Sequence, residues 1–195
     1  TRSLPFQEIT TIDSLAIQGY ARPLDWLEQR EVRPVVIWAN EEISMYVPIL
    51  TRHYVFWTNV GGLQLMPTDE VEDRFLASQV KPLTADELFA SYERFEGAGV
   101  GRRYEDSMNK NKLRCLVGMV CKPEQSMREW IGDEKIKDLI QRQSELRTNI
   151  ASVMKKYHIA YLIADTTKEE DDYFSALPGV HQVWRDNRFI VYAIR

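Results

Sequence analysis

Three short, continuous apolar runs constrain this chain more than any other feature. They are Pro34-Val-Val-Ile-Trp-Ala39, His53-Tyr-Val-Phe-Trp-Thr58 and His158-Ile-Ala-Tyr-Leu-Ile-Ala-Asp165. Each is too short for a core helix and rich in β-branched or aromatic residues, the pattern of a strand buried on both faces. Helical periods flank them. Asp13 can cap a segment that carries Leu15, Ile17, Tyr20, Leu24 and Leu27 to about Glu31, and Pro23 within it predicts a kink or a restart. Ile43, Tyr46, Val47 and Leu50 mark a short helix over 42–50. Pro67-Thr-Asp-Glu70 opens another, with Val71, Phe75 and Leu76 on its buried face. A short helix is expected at 169–175, then strands at 180–184 and 189–194 joined by a tight turn at Asp186-Asn187. Strands alternating with helices predict parallel crossovers. The expected architecture is a small Rossmann-like three-layer α/β domain with a mostly parallel sheet and a C-terminal β-hairpin.

The alternation breaks between about 80 and 130, which reads as a helical insertion. Thr84-Ala-Asp-Glu87 is a capping box, and its helix runs to about Phe95. Residues 96–112 are glycine-rich and then polar, the most loop-like stretch of the chain. The apolar run 113–121 is too short for its period to decide between helix and strand. Ile136, Leu139, Ile140, Gln143, Leu146, Ile150, Val153, Met154 and Tyr157 then recur at helical steps, predicting one long amphipathic helix over 133–157. At 195 residues and 44% hydrophobic composition the chain can bury a substantial core. A single domain over 1–195 is expected, with its core in 12–79 and 131–195.

Charge and motifs remove several functions. The net charge is −4, which argues against a nucleic-acid partner. No uncharged apolar run reaches the roughly 18–20 residues of a membrane helix. Cys115 and Cys121 lack zinc-site spacing and read as buried thiols, and His53, His158 and His181 are scattered, so neither a metal nor a cofactor is expected. The segment Gly97-Ala-Gly-Val-Gly101-Arg-Arg follows a predicted helix rather than a strand and lacks the P-loop spacing. No serine-nucleophile motif is present. The acid runs Asp69, Glu70, Glu72, Asp73 and Glu169-Glu170-Asp171-Asp172 read as solvated helix faces.

Ligands of open α/β sheets sit beyond the carboxyl ends of the strands. Asn40 and Glu41 follow the first predicted strand, Thr58 and Asn59 the second, and Asp165 and Thr166 the third, making these six the candidate ligand-binding residues. Asn40 and Asp165 can equally cap the next helices; if Asn40 is only a cap, aspartate replaces it without loss. Arg102, Arg103, Lys110 and Lys112, with Arg114 nearby, form a basic cluster in an acidic chain, candidate contacts for anionic lipid headgroups or a pyrophosphate. No catalytic residue is assigned, because no self-sufficient catalytic constellation assembles.

The segments Leu24-Asp-Trp-Leu-Glu28, Pro34 to Glu42, Ile43 to Pro48 and Leu50-Thr-Arg-His-Tyr-Val-Phe-Trp57 resemble the soluble tail of GT-C-type polytopic membrane glycosyltransferases. Glu70-Val-Glu-Asp-Arg-Phe-Leu76 matches the acidic helix of those tails, Val153 to Asp165 a segment near their end, and Val183 to Ile194 their close. The resemblance covers both ends of the chain and not its middle. It implies an extracytoplasmic domain of a protein-mannosyltransferase-like enzyme that uses dolichyl- or polyprenyl-phosphate sugars. The catalytic acid of such enzymes lies in a loop between early membrane helices, so none carries over to this sequence. The implied partners are its own transmembrane domain, a polyprenyl-phosphate sugar, glycan or lipid headgroups. The first residue, Thr1, is not methionine and no signal-peptide core follows it, which fits a piece of a larger protein. Two other functions remain open: a protein-interaction module of a membrane-bound assembly, and a stand-alone cytoplasmic α/β enzyme or nucleotide-binding protein with its site at the strand ends.

Overall fold

A computed structural model describes residues 11–58, 66–96, 99–120, 122–168 and 170–195. The chain forms two compact units, one made of residues up to Phe56 together with His158–Arg195, the other of Trp57–Tyr157.

The first unit is α/β. Helix α1 (Thr11–Arg30) leads into strand β1 (Val36–Ala39), helix α2 (Glu41–Leu50) and strand β2 (Tyr54–Val55). After the second unit the chain returns as β3 (Ile159–Asp165), and after an intervening helix it closes with β4 (Val180–Arg185) and β5 (Phe189–Ile194). These strands form a five-stranded mixed sheet in the order β2-β1-β3-β5-β4. β1 pairs in parallel with β2 and β3, whereas β5 is antiparallel to β3 and to β4. The parallel core and the terminal hairpin thus follow the apolar runs and the Asp186-Asn187 turn, where Asp186 Oδ1 accepts the N–H groups of Arg188 and Phe189 at 2.8 and 2.6 Å. β2 is shorter than its apolar run. It has only the short β1 to pair with, through Tyr54 N–H to Val35 O and Phe56 N–H to Ile37 O.

Alternation along the strands divides the core. Ile37, Ala39, Tyr161, Ile163 and Val191 pack with Leu24 and Leu27 of α1 and Ile43 and Val47 of α2. Trp38 points the other way, with Phe56 at 5.4 Å and Phe174 at 5.2 Å between ring centroids. A fully buried side chain of this kind stabilises the fold by about 1.5–3 kcal/mol before entropy is counted. α1 runs through Pro23 as one helix instead of restarting there.

The second unit is helical among its described residues: α3 (Thr68–Ser78), α4 (Ala85–Glu96), α5 (Gly99–Leu116), α6 (Met127–Ile131), α7 (Asp133–Thr148) and α8 (Ile150–Lys156). Its core stacks Phe75 on Phe95 at 4.4 Å, with Trp57 and Tyr92 edge-on to them. The Thr84 capping box forms, Glu87 accepting from the Thr84 N–H at 2.8 Å. Gln143, buried on α7, accepts from the Leu83 N–H at 2.9 Å and donates to the Lys81 carbonyl.

Four sequence-based expectations need correction. The stretch expected as a loop is helix from Gly99 onward, because Arg, Lys, Glu, Met and Leu after the glycines are good helix formers; residues 97–98 lie outside the described residues. The predicted long helix is two, parted at Asn149, whose backbone N–H and side-chain amide both donate to the Glu145 carbonyl and close α7 there. Cys115 is exposed on α5 rather than buried, and Cys121 lies outside the described residues. The two acid runs are not wholly solvated: Glu72 is 2% exposed and Glu170 is 7% exposed.

Candidate functional site

The carboxyl ends of β1 and β3 lie side by side, with Ala39 in register with Ile163. Asn40 comes directly after Ala39, and Asp165, two residues beyond Ile163, is the last residue of β3. Asn40 is the N-cap of α2, its Oδ1 accepting from the Ile43 N–H at 3.0 Å. Its amide also donates to Oε2 of Glu170 at 3.2 Å. The same oxygen accepts the Asp165 N–H at 2.9 Å. Glu170 belongs to helix α9 (Glu170–Ser175) and ties the two strand ends together. It lies four residues before buried Phe174, so both fall on the inward face of the helix.

Asp165 is fully buried and occupied on both oxygens. Oδ1 accepts from the Thr167 N–H at 3.0 Å and the Thr167 hydroxyl at 2.7 Å. Oδ2 receives Arg188 through Nε at 3.1 Å and Nη2 at 2.7 Å. Arg188 comes from the β4–β5 turn, and its guanidinium lies 5.3 Å from the centroid of the Tyr20 ring. Thr166 is fastened to the same turn, its N–H and hydroxyl both meeting the Arg188 carbonyl. At the rim, Glu42 accepts from Tyr20 at 2.8 Å and pairs with Lys168 at 3.2 Å.

The two central carboxyls titrate in opposite directions. Burial alone would raise Asp165, but the Arg188 and Thr167 hydrogen bonds outweigh it and hold the group below its ordinary value. Glu170 is raised, because burial exceeds what the Asp165 N–H and the Asn40 amide return. Arg188 is held further in its charged form by Asp165. Chemically the two carboxyls are engaged from within: Asp165 takes Thr167 and Arg188, and Glu170 takes Asn40 and the Asp165 N–H, while the Arg188 and Lys168 side chains stay partly exposed at the rim.

Of the six candidate residues, the structure brings Asn40, Asp165 and Thr166 to one edge, with Glu41 at the first position of α2. Thr58 is buried and belongs to the other unit, and Asn59 lies outside the described residues. The sequence reading missed Glu170 and Arg188. The i, i+4 spacing of Glu170 to Phe174 was the available signal; Arg188 had none, since its role depends on which strand its hairpin joins.

The basic candidates Arg102, Arg103, Lys110 and Lys112 all sit exposed on α5, as does Arg114. Seven- and four-residue steps align Arg103, Lys110 and Arg114 along one stripe. An open groove of about 410 Å³ runs beside this helix, lined by Tyr104, Met108, Lys112 and Glu124 among others. Among the described residues, no group of three or more His, Cys, Asp or Glu side chains is placed to hold a metal ion. No helix among them is long and apolar enough to cross a membrane. Comparison with protein-family models, with curated proteins and with solved structures finds no match to this chain.

Proposed function

We propose that this chain is a non-catalytic extracytoplasmic domain of a GT-C-like membrane glycosyltransferase, shaping the binding of acceptor, glycan or partner. The observation that supports a non-catalytic role is the closure of the strand-end cluster. A general acid, base or nucleophile must reach a substrate atom. Here both oxygens of Asp165 are taken by Thr167 and Arg188, and Glu170 is folded inward onto Asn40 and the Asp165 N–H. The same residues in an enzyme of this edge topology would point outward to a ligand.

The assignment to a glycosyltransferase rests on the motif resemblance, from Leu24 to Trp57 and again from Val153 to Ile194. A Rossmann-like, three-layer organisation of the first unit is in keeping with it, since Leu24 and Ile43 lie against one side of the sheet residues and Phe174 against Trp38 on the other. On this reading the domain lies on the outer face of the membrane, and its partners are its own transmembrane domain, a polyprenyl-phosphate sugar, a glycan or lipid headgroups.

The test is sugar transfer in membranes that carry the full-length protein, with a polyprenyl-phosphate sugar as donor. The expected result is transfer that persists within about twofold in Glu170→Gln, because the glutamine keeps both accepted hydrogen bonds. Absence of transfer in the unsubstituted protein overturns the family assignment. A loss beyond about tenfold in the variant, at equal folded protein, overturns the non-catalytic role.

A further inference from the structure

The C-terminal end of α5 displays a contiguous set of apolar side chains. Leu116 is 82% exposed, Val117 63%, Met119 59% and Val120 95%. Single exposed aliphatic residues are ordinary, but a cluster of them marks an interaction site.

This tip is built rather than frayed. The Met119 N–H returns to the Arg114 carbonyl and the Gly118 N–H to that of Cys115, the two bonds of a Schellman cap. Gly118 takes the left-handed conformation that the cap requires, at φ +74°. The side chain of Asn111 then clasps Lys122 by donating to its carbonyl at 2.7 Å and accepting its N–H at 2.8 Å. Lower down, the Tyr104 hydroxyl donates to the Gln125 carbonyl at 2.6 Å. The backbone is thus fixed on both sides of the turn while its apolar side chains face outward.

The charge around the tip is of one sign. Between 110 and 122 stand Lys110, Lys112, Arg114 and Lys122 without a single aspartate or glutamate, in a chain whose net charge is −4. We propose that this tip docks on an anionic lipid surface, its aliphatic side chains entering the boundary between headgroups and acyl chains and its cations lying among the phosphates. A few aliphatic side chains or a few cations hold a protein weakly; the two signals together give stable, reversible attachment. The inference does not depend on the parent protein being a glycosyltransferase.

The test is cosedimentation of the 195-residue chain with phosphatidylcholine vesicles, with and without phosphatidylglycerol. Binding is expected only with phosphatidylglycerol present, and it should weaken as salt is added. Val117→Asp with Val120→Asp should lower vesicle affinity at least about tenfold and leave thermal unfolding unchanged, because both positions are exposed. In Leu116→Trp, read as the difference from the parent's five tryptophans, the added emission should shift to the blue on vesicles and be quenched by brominated lipid. Failure to sediment with phosphatidylglycerol vesicles overturns the proposal, as does an unshifted tryptophan or a double-aspartate variant that binds like the parent. A dimer in solution that the double variant dissolves also overturns it, since the tip is then covered by a second copy.

Discussion

The side-chain amide of Asn40 lies 3.2 Å from Oε2 of Glu170, 130 positions along the chain. The contact joins the residue that caps α2 to the first residue of α9, across the carboxyl ends of β1 and β3. It gives Asn40 two tasks. Oδ1 caps the helix, and the amide donates a hydrogen bond to a buried carboxyl.

This double role changes what substitution of Asn40 should do. As a cap alone, aspartate would serve as well. In the structure, Asn40→Asp removes the donor and faces Glu170 with a second carboxylate. The expected cost is about 1–3 kcal/mol at neutral pH, read by chemical denaturation. Adding Glu170→Gln restores a donor to the pair, so the double variant should regain most of that loss. A single variant as stable as the parent contradicts the pairing.

Glu170 also predicts a pH dependence. Its folded value is raised above the ordinary 4.5, with burial as the leading cause. Its favourable contribution is therefore complete below that ordinary value and is lost as pH rises through the folded value. Asp165 runs the other way: its folded value is below 3.8, so its contribution is present above that pH and lost as pH falls through the folded value. Glu170→Gln should gain stability relative to the parent as pH rises from 4 toward 7 (roughly the carboxylate range). A gap that is flat with pH would show that Glu170 titrates no differently when folded.

In the second unit, Glu72 holds Lys135 at 2.5 Å and Arg142 at 3.0 Å while itself nearly inaccessible. Glu72→Ala leaves those cations without their shared acceptor. Both remain partly exposed and Arg142 keeps Asp73 at 2.7 Å, so the cost should be about 1–3 kcal/mol, below that of a wholly buried pair. Urea unfolding of the variant measures it; a change under about 0.5 kcal/mol would place Glu72 among ordinary surface acids.

His158 has φ +52° and follows the Tyr157 C-cap of α8. Glycine relaxes this left-handed position, whereas a β-branched residue strains it. His158→Gly is expected to hold or raise the melting temperature, and His158→Val to lower it by an amount equivalent to about 1–2 kcal/mol. The reverse order would mean that the imidazole itself sustains the turn.

The contrast between Ile163 and Glu170 shows what could be read from the sequence. Ile163 sits in a run whose apolar continuity already specifies a buried strand, and the strand is found there. Local capping signals were equally direct, as Thr84 with Glu87 shows. Glu170 and Glu72 stand inside runs of identical charge, and only tertiary partners single out the buried member. The i, i+4 relation to Phe174, and that of Glu72 to Leu76, is a face signal that the charge pattern overrides. α5 failed for another reason. Its glycines lie at the first turn, where they cost little, and the helix formers behind them decide the outcome. Arg188 could not be placed at all before the pairing of β5 with β3 was known.

The most direct test of the central claim is a two-dimensional amide NMR titration of the chain with a short polyprenyl phosphate, a set of sugars and common nucleotides. If the strand-end cluster is closed and non-catalytic, the amides of Asn40, Asp165, Thr167 and Glu170 will not move at any ligand concentration. Saturable shifts at those four amides would contradict the account and make the carboxyl edge of the sheet a working ligand site.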